Sequence, residues 1–499
     1  MRMRAHEVET VKQFVESREN FEKLISELSS AESLEMSHSE LENLLHREGM
    51  QLLRQLMQDH LDLRFGREQR REAVVGADAI ARRQVKGSER GLMTIFGPVN
   101  VPRLGYSRAG RASLYPMDAA LNLPKEYYSY GVRERVAEEV TKASFDEVVS
   151  AIEKTTGAAL AKRQAEELAT RAAQDFELFY QQQKQQGSQT SSILVISTDG
   201  KGIVVRKDDL RSQTRKSAEC QNHKMQKRLS KGEKRNRKRM AQVATVYTIE
   251  PFQRNAENIV DELKPVKETY PKRPQPENKR VWASIEQSSQ EVIAQAFSEA
   301  TRRDPYQEKT WAILIDGNPI QLNIIEQKVE KLAIKPFIIL DLIHVLGYMW
   351  KAAFAFNAEG SKEAESWVTE RLLALLQGHS QHVAAGMRRS ATLRGLSTKE
   401  REAVDKCADY LLKYAPYLHY DEYLALGLPI ATGVIEGACR HLIQDRMDIT
   451  GARWSLKGAE AVLRLRSLRS SKDFDEYWRF HLIQEFQRNH AKLYLDRLV

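Results

Sequence analysis

The sequence has few cysteines and no long apolar run. Its three cysteines among 499 residues, Cys220, Cys407 and Cys439, show no paired spacing. That argues against a disulfide framework and a cysteine zinc site, and it is typical of a reducing cytosol. No stretch reaches the roughly 18 consecutive apolar residues of a membrane span. The first residues lack the apolar run of a signal peptide, and no internal repeat is visible. We therefore expect a cytoplasmic protein without a membrane segment.

Positive charge exceeds negative charge and is concentrated in one tract. The chain has 77 Lys and Arg against 68 Asp and Glu, a net charge of +9, and nine of the basic residues lie within 224–239 beside one acid. Dense basic charge releases counterions from a polyanion, so the tract predicts contact with nucleic-acid phosphates. The alternative is a solvated loop. The candidate contacts in and beside this tract are Lys227, Arg228, Arg235, Arg237, Lys238 and Arg239.

The N-terminal part predicts helices followed by one hairpin. Residues 1–85 carry leucines at helical spacing after a capping box formed by Ser37 and Glu40. Two β-rich runs within 86–124 surround Gly97 and predict a hairpin. The region therefore divides into a helical part and a hairpin part.

Residues 125–185 return to helical periodicity. Two short helices are separated by a turn at 155–157, which is similar to a helix-turn-helix unit. This unit either binds DNA or is an ordinary helical hairpin, since any two-helix hairpin looks similar. The polar segment 181–190 predicts the main domain boundary.

The second half alternates β-rich and helical runs. We expect strands at 192–199, 203–205, 240–250, 311–316 and 336–341, and helices at 281–302 and 319–332. Further helices follow. The order of three strands, helix, strand, helix, strand and then helices is that of an RNase H-like fold. We therefore expect an α/β catalytic domain with a mixed five-stranded sheet and a helical insertion, preceded by a mostly helical region with a β-hairpin.

Three acids stand where this fold would gather them. Asp199 and Asp316 each follow an apolar β run and precede a glycine, and the first and fourth strands lie side by side in the sheet centre. Glu436 begins a helical segment that would cross over them. Asp341, after the fifth strand, is the rival of Asp316 as second ligand. An aspartate and a glycine at the end of a strand often form only a turn. The three acids together therefore support a catalytic site better than any one of them alone.

Hard oxygen ligands without a histidine and cysteine set favour Mg²⁺ or Mn²⁺. Two such ions would activate a water or a 3′-hydroxyl and stabilise the leaving oxygen. The expected metal ligands are Asp199, Asp316 and Glu436, with Asp341 as the alternative second ligand.

Basic and aromatic residues follow Glu436. Arg440 and Gln444 come at spacings of four and are expected to share its helix face. The expected DNA contacts of this surface are Arg440, Arg446, Arg453, Trp454 and Lys457. The arginines either bind phosphate or pair with nearby aspartates, and Trp454 either stacks on a base or anchors the helix. His344 either orients a phosphate or packs against the sheet.

Three segments carry a resemblance to a known family. The stretches 433–437, 446–455 and 341–344 resemble bacterial insertion-sequence transposases of the DDE superfamily, of the Kra type related to Mutator-like transposases. The resemblance covers about 190–475 and extends more loosely over 86–180.

The resemblance implies a DNA transposase that binds terminal inverted repeats and performs Mg²⁺-dependent strand cleavage and strand transfer as an oligomer, at least a dimer. It implies Asp199, Asp316 and Glu436 as catalytic acids, and Asp341 with His344 as the family's acid-x-x-His motif. Some relatives carry a cysteine cluster near 106–115, where this chain has none. The alternatives are a catalytically silent DNA-binding derivative and another RNase H-like nuclease.

The implied location is the bacterial cytoplasm, at the nucleoid when DNA is bound. The expected segments are an N-terminal helical region, a hairpin, a helix-turn-helix-like region, the first part of the catalytic core, a helical insertion, the last core helices and a helical tail. Their bounds are 1–85, 86–124, 125–185, 190–344, 345–428, 429–475 and 476–499.

Overall fold

The computed structural model describes residues 14–183, 192–219, 237–262, 272–449 and 451–495. They form two compact units, one made of the residues up to Gln182 together with those from Asp473 onward, and one made of Gln183–Lys472. The first division falls within the polar segment 181–190. The end of the chain belongs to the same unit as its beginning.

In the first unit helices come before and after a run of five strands, whereas in the second unit strands and helices are interspersed. The strands are β1 Val74–Val75, β2 Ala81–Arg82, β3 Gln84–Thr94, β4 Gly97–Arg108, β5 Arg111–Leu114, β6 Ile193–Val204, β7 Lys238–Ile249, β8 Glu277–Ser284, β9 Thr310–Ile315 and β10 Phe337–Leu340. The helices up to Glu219 are α1 Val15–Leu28, α2 Ala31–Glu35, α3 His38–Gly66, α4 Pro116–Ala120, α5 Tyr130–Glu139, α6 Phe145–Thr155, α7 Lys162–Ala172, α8 Phe176–Gln182 and α9 Ser212–Glu219. The later helices are α10 Ala256–Glu262, α11 Ser289–Arg303, α12 Pro319–Leu332, α13 Leu342–Ala353, α14 Lys362–Leu376, α15 Ser380–Leu393, α16 Glu402–Lys413, α17 Tyr420–Ala425, α18 Gly433–Ala438, α19 Asp445–Met447, α20 Leu456–Ser471 and α21 Phe474–Asn489.

The capping box predicted at the start of α3 is present. The amide of Ser37 donates to Oε2 of Glu40 at 2.8 Å, and the amide of Glu40 donates to Oγ of Ser37 at 3.4 Å. These bonds satisfy two amides that a helix start leaves without partners. The expectation of helix as far as residue 85 is wrong, because α3 ends at Gly66 and the short strands β1 and β2 follow.

The predicted hairpin is also present and is longer than its β-rich runs. β3 and β4 pair antiparallel from Gln84 with Ser107 to Thr94 with Gly97, and β5 adds a third strand. Gly97 has φ +117°, a left-handed conformation that L side chains avoid, so a glycine fits this tight turn.

Helix α21 is tied to the first unit by a buried charge network. The guanidinium of Arg133, on α5, is fully buried and donates to Glu485 and Glu126, each at 2.7 Å. His481 lies 2.7 Å from Oδ2 of Asp175 through Nδ1 and 3.2 Å from Arg133 through Nε2. Paired buried charges fix geometry closely, because an unpaired one is costly. The segment expected as a separate tail is thus part of the first unit's core.

The second unit is built on a mixed five-stranded sheet, as the sequence predicts. Its strand order is β10-β9-β6-β7-β8. β6 pairs parallel with β9 and β9 with β10, whereas β7 is antiparallel to both β6 and β8. The carboxyl ends of β6, β9 and β10 therefore point to one edge of the sheet.

Two local expectations about these strands are wrong. The strand that begins near 192 does not end at Asp199, because β6 continues to Val204 along β7. The segment expected as the start of a helix at 281 is instead the end of β8, and α11 begins at Ser289. A fully buried strand lacks the alternation that distinguishes it from a helix, and the second half of β8 is buried at every position. The expected count of five strands is still correct, because the separate strand expected at 203–205 is part of β6, whereas β8 was not expected.

Helix α20 covers the outer strand of the sheet. The amides of Ala283 and Val281 in β8 donate to the hydroxyls of Ser467 and Ser471 at 3.3 and 2.9 Å. Oε2 of Glu460 accepts from the amide of Ile285, two residues after Ala283, at 2.9 Å. Side chains of one helix thus supply the partners that an edge strand would otherwise seek from another chain.

Candidate active site

Three parallel strands bring acids to one edge of the sheet. Asp199 lies inside β6, two residues beyond the last parallel pair with β9 at Ser197, and it faces Val243 of β7. Asp316 directly follows β9. Asp341 directly follows β10, and its amide donates to the carbonyl of Ile315 at 2.8 Å. Where parallel strands end together, the side chains that follow them meet.

Asp341 is fully buried, and both of its carboxylate oxygens accept hydrogen bonds. Oδ1 accepts from the amides of Thr432 and Ile343 at 2.9 and 3.2 Å, and Oδ2 lies 2.6 Å from Nδ1 of His344. Burial alone would raise the pKa of Asp341, but the hydrogen bonds from His344 and Thr432 outweigh it and the pKa is lowered. Asp341 caps helix α13 and holds His344, so its oxygens are engaged within the protein.

His344 stands between this buried acid and the solvent. Its hydrogen bond to Asp341 raises its pKa against the opposing effect of burial, and the charges of Asp341, Asp316 and Glu436 act in the same direction. The side chain is 43% exposed. With Nδ1 held by Asp341, the ring presents Nε2 to any group that enters the site. His344 is therefore held by Asp341 at the surface of the site, and the alternative that it packs against the sheet is not favoured.

Glu436 reaches the same edge from helix α18. Ligand atoms of Asp341, His344 and Glu436 all lie within 4.8 Å of one another. Partial burial raises the pKa of Glu436, as do the charges of Asp341 and Asp199, while His344 and Lys201 oppose this rise. An acid with a raised pKa beside other acids is typical of a functional site.

The helix that carries Glu436 is not regular. After α18 the chain forms a π-helical segment, Cys439–Gln444, before α19. The expectation that Arg440 and Gln444 share the helix face of Glu436 assumes a regular α-helix, and the wider turn at 439–444 departs from that geometry. Such wide turns occur frequently at functional sites.

Asp316 and Asp199 repel one another across the parallel strands. Oδ1 of Asp316 accepts from the amide of Asn318 at 2.8 Å. Partial burial raises the pKa of Asp316, and the negative charge of Asp199 raises it further. Two carboxylates whose negative charges lie close together fit a divalent cation, because the cation would relieve their repulsion.

Sequence reasoning missed Cys439 as a site residue. Its thiol donates to Oδ2 of Asp199 at 3.1 Å, and Oδ1 of Asp199 accepts from the amide of Gly200 at 2.6 Å. Burial raises the pKa of Cys439, and the charge of Asp199 and the hydrogen bond to it add to this, so the thiol stays protonated and donates. The available signal was its position one helical turn after Glu436.

A second group of acids and histidine lies in the first unit. Ligand atoms of Asp175, His481 and Glu485 also lie within 4.8 Å of one another. Arg133 and Arg488 already bond to the acids of this group. Two guanidinium groups neutralise these carboxylates and would repel a metal ion, so the group does not fit one.

The basic tract gives a mixed result. Lys227, Arg228 and Arg235 lie outside the described residues. Lys238 is 3.5 Å from Asp448, and Arg239 donates to the carbonyls of Ile285 and Asp209 at 2.9 and 3.1 Å. Arg237 is partly buried beside them. The guanidinium of Arg239 therefore supports the fold, and because Arg239 also lines the cleft described below, its contact with DNA stays a prediction.

Two of the residues expected to contact DNA after Glu436 are buried. Trp454 is 6% exposed, and its indole donates to the carbonyl of Met447 at 3.0 Å. Arg446 is 3% exposed and lies 4.7 Å over the ring of Trp454. The Trp454 backbone joins the end of β6 through Val204. Trp454 thus anchors the chain to the sheet and does not stack on a base, and Arg446 packs against it.

Arg440, Arg453 and Lys457 are exposed, as a DNA-facing surface requires. The guanidinium of Arg440 lies 3.8 Å from Asp445, with its side chain 73% exposed. A pair so exposed contributes little to stability. These three residues remain candidates for phosphate contact.

A cleft opens beside Asp199 and Asp316. Arg211 and Lys238 line the same cleft as the two acids, so positive and negative charges share it. The cleft is lined by Asp199, Gly200, Arg211, Thr214, Lys238, Arg239, Met240, Gln242, Ser289, Asp316, Asn318, Ile320 and Gln321. Arg211 is a candidate phosphate contact that sequence reasoning did not single out.

Comparison with models of protein families and with curated proteins finds no match to this chain. Among the residues that the structure describes, no helix is both long and apolar enough to cross a membrane.

Proposed function

We propose that this chain is a DNA transposase of the DDE superfamily, of the Kra type related to Mutator-like enzymes. One observation carries the proposal. Asp199 and Asp316 belong to two neighbouring parallel strands of the sheet, and Glu436, more than a hundred residues later in the chain, interacts electrostatically with the same acidic group. Acids that approach one sheet edge from distant segments suit a metal site that acts on phosphodiesters. The ligand atoms within 4.8 Å of one another there are those of Asp341, His344 and Glu436, so Asp341 stays the rival of Asp316.

The strand arrangement supports an RNase H-like fold for the second unit. Strands β6, β7 and β8 are consecutive antiparallel neighbours, and β9 and β10 are added parallel on the other side of β6. Five helices, α13 to α17, stand between β10 and α18. Helices at this position match the insertion that the family resemblance implies before the last acid.

The acids have different roles in the proposed chemistry. Asp199, Asp316 and Glu436 would hold two Mg²⁺ or Mn²⁺ ions, which activate a water or a 3′-hydroxyl and stabilise the leaving oxygen when bound. Asp341 orients His344, and the raised pKa of His344 favours a cationic ring that offers a proton donor to a phosphate oxygen. Asp341 is fully buried and its carboxylate already accepts three hydrogen bonds, which favours Asp316 as the second ligand.

The proposed partner is double-stranded DNA, both element ends and target. The cations Arg211 and Lys238 line the same cleft as Asp199 and Asp316, and Arg440, Arg453 and Lys457 add exposed positive charge in the segment after Glu436. The helices α6 and α7 lie where the helix-turn-helix-like unit is expected. Two basic residues of α7 that could contact DNA form ion pairs, Lys162 with Asp146 and Arg163 with Glu167. Action as an oligomer, at least a dimer, follows from the family resemblance.

The test is incubation of the purified protein with labelled element ends, taken from the DNA that flanks its gene, and Mg²⁺. Cleavage followed by joining to target DNA is the expected result. Asp199→Asn, Asp316→Asn and Glu436→Gln should each abolish both steps. Asp409→Asn is the matched control, because Asp409 is an exposed acid of α16 that pairs only at the surface with Arg388.

Other outcomes assign the chain to another class. Cleavage without joining indicates a different nuclease of the same fold. Binding without cleavage indicates a silent DNA-binding protein. Loss of activity in Asp341→Asn with full activity in Asp316→Asn would show that Asp341 is the second ligand.

A further inference from the structure

Tyrosines from the helices between β10 and α18 donate to main-chain carbonyls at the ends of β9 and β10. The hydroxyl of Tyr410 donates to the carbonyl of Asp316 at 3.1 Å, and that of Tyr414 donates to the carbonyl of Gly317. The corresponding bonds on β10 run from Tyr420 to Leu340 at 2.7 Å and from Tyr423 to Ile338 at 3.3 Å.

The donors at Asp316 are well held. The ring of Tyr410 stacks on that of Tyr348, with centroids 4.2 Å apart and planes within 17°. Tyr414 is 3% exposed. Burial raises the pKa of Tyr410, so its hydroxyl stays protonated at neutral pH and remains a donor.

Gly317 shows how closely helix α16 approaches the acid. Its φ of +85° is in the left-handed region, which favours glycine. A Cβ added here would lie 2.7 Å from the hydroxyl oxygen of Tyr410. The Asp-Gly pair after β9 therefore has a second role besides turning the chain, because glycine lets the tyrosine reach the backbone.

We propose that Tyr410 and Tyr414 are positioning residues that fix the backbone of Asp316 and Gly317, so that the Asp316 carboxylate faces Asp199. The inference rests on the proposed function, since it gives the helical insertion a task in building the metal site. The carbonyl of Asp316 is held by Tyr410 and its Oδ1 by the amide of Asn318. Both ends of the residue are then fixed before a metal or DNA arrives.

The main alternative is that these hydroxyl bonds only stabilise the fold. Two other tyrosines of the same segment serve as controls that distinguish a positioning role from a purely structural one. Tyr423→Phe removes a buried hydroxyl bond of the same type to Ile338, three residues before the next acid. Tyr417→Phe removes a hydroxyl bond to Glu326 on helix α12. Neither reaches Asp316.

The test compares Tyr410→Phe, Tyr414→Phe and the double variant with these two controls. Mn²⁺ binding to the DNA-free protein is titrated by the electron paramagnetic resonance signal of the free ion, and Tm is measured alongside. We expect a rise in the Kd for Mn²⁺ of about threefold to tenfold for each hydroxyl removed, since a net hydrogen bond is worth about that factor. The controls should bind Mn²⁺ as the wild type does, even where Tm falls equally.

Cleavage supplies a second readout. The Mg²⁺ concentration for half-maximal cleavage should rise in Tyr410→Phe and Tyr414→Phe, while the rate at saturating Mg²⁺ recovers. Unchanged Mn²⁺ binding in the double variant, or an equal loss in Tyr423→Phe, overturns the positioning role. If Asp316→Asn abolishes Mn²⁺ binding in that case, the proposed function still stands. Absence of Mn²⁺ binding in the wild type overturns both.

Discussion

The thiol of Cys439 donates a hydrogen bond to Oδ2 of Asp199 at 3.1 Å, from a buried position on the π-helical segment after Glu436. It joins the segment of the third acid to the first acid directly. Groups that bond to metal ligands orient them, and their loss typically costs about 10- to 100-fold in metal affinity or activity.

We predict that Cys439→Ala lowers the cleavage rate about 10- to 100-fold, because it removes the donor to Asp199. Cys439→Ser keeps a donor of similar size and should retain most of the activity. The measurement is cleavage of labelled ends by both variants at equal Mg²⁺. Cys407→Ala serves as the control, since Cys407 is buried on α16. Equal activity of the alanine and serine variants at position 439 would contradict a donor role.

We predict that Asp316→Asn raises Tm at pH 7 in the absence of divalent metal. The pKa of Asp316 is raised in the folded protein, so its ionisation costs stability once the pH exceeds the unfolded value of 3.8. Asparagine removes that cost, and the advantage should vanish at pH values low enough to protonate Asp316 in both states. Mg²⁺ should raise the Tm of the wild type more than that of the variant. Thermal melts with and without chelator across pH provide the test, and a lower Tm at pH 7 would count against it.

We predict that Glu299→Gln destabilises the second unit. Burial would raise the pKa of Glu299, but Arg280, Arg303 and Arg302 outweigh it and lower the pKa from 4.5 to about 2. The shift corresponds to about 3 kcal/mol of stability. This contribution is fully present above pH 4.5 and is lost as the pH falls toward about 2.

Urea unfolding of wild type and Glu299→Gln at several pH values measures this. The two should differ at pH 7 and converge in acid. Glu402→Gln is the control, because Glu402 and its partner Lys406 are both exposed. A constant difference across the whole range would show that packing, rather than charge, is responsible.

We predict that Arg133→Leu destabilises the first unit by about 3–5 kcal/mol, because it leaves the buried Glu485 without its main partner. Hydrogen exchange within residues 130–182 and 474–489 should rise together, since the network joins them. Lys162→Ala removes an exposed pair with Asp146 and should change little. Exchange confined to α21 would show that the network does not couple the chain's two ends.

We predict different effects from the exposed and buried residues after Glu436. Arg440→Ala with Lys457→Ala should weaken DNA binding, lower the slope of its salt dependence by about 1 for each phosphate that is no longer neutralised, and leave Tm unchanged. Trp454→Ala should lower stability by about 3–5 kcal/mol, because a buried ring is removed. Filter binding at several salt concentrations and thermal melts distinguish the two. Loss of DNA binding at unchanged Tm in Trp454→Ala would restore a stacking role.

Local patterns along the chain determined much of this architecture. The capping box at Ser37, the hairpin around Gly97 and the apolar runs before Asp316 and Asp341 all depend on neighbouring residues, and each is where the sequence predicts it. The five-stranded mixed sheet is present as expected, but β8 was not among the predicted strands, because a buried strand lacks the alternation that identifies it. Such features are legible because a cap, a turn or a strand is stabilised mainly by residues close in sequence.

Only the tertiary structure decided how the side chains are used. Arg446 and Trp454 look like surface contacts in sequence, yet both are buried and pack against each other. Asp341 and Asp316 each follow a strand, but only Asp341 has both oxygens bound by its own chain. The contact of Cys439 with Asp199 spans 240 residues. Burial and hydrogen-bond partners depend on which distant segments meet, and no local pattern encodes that meeting.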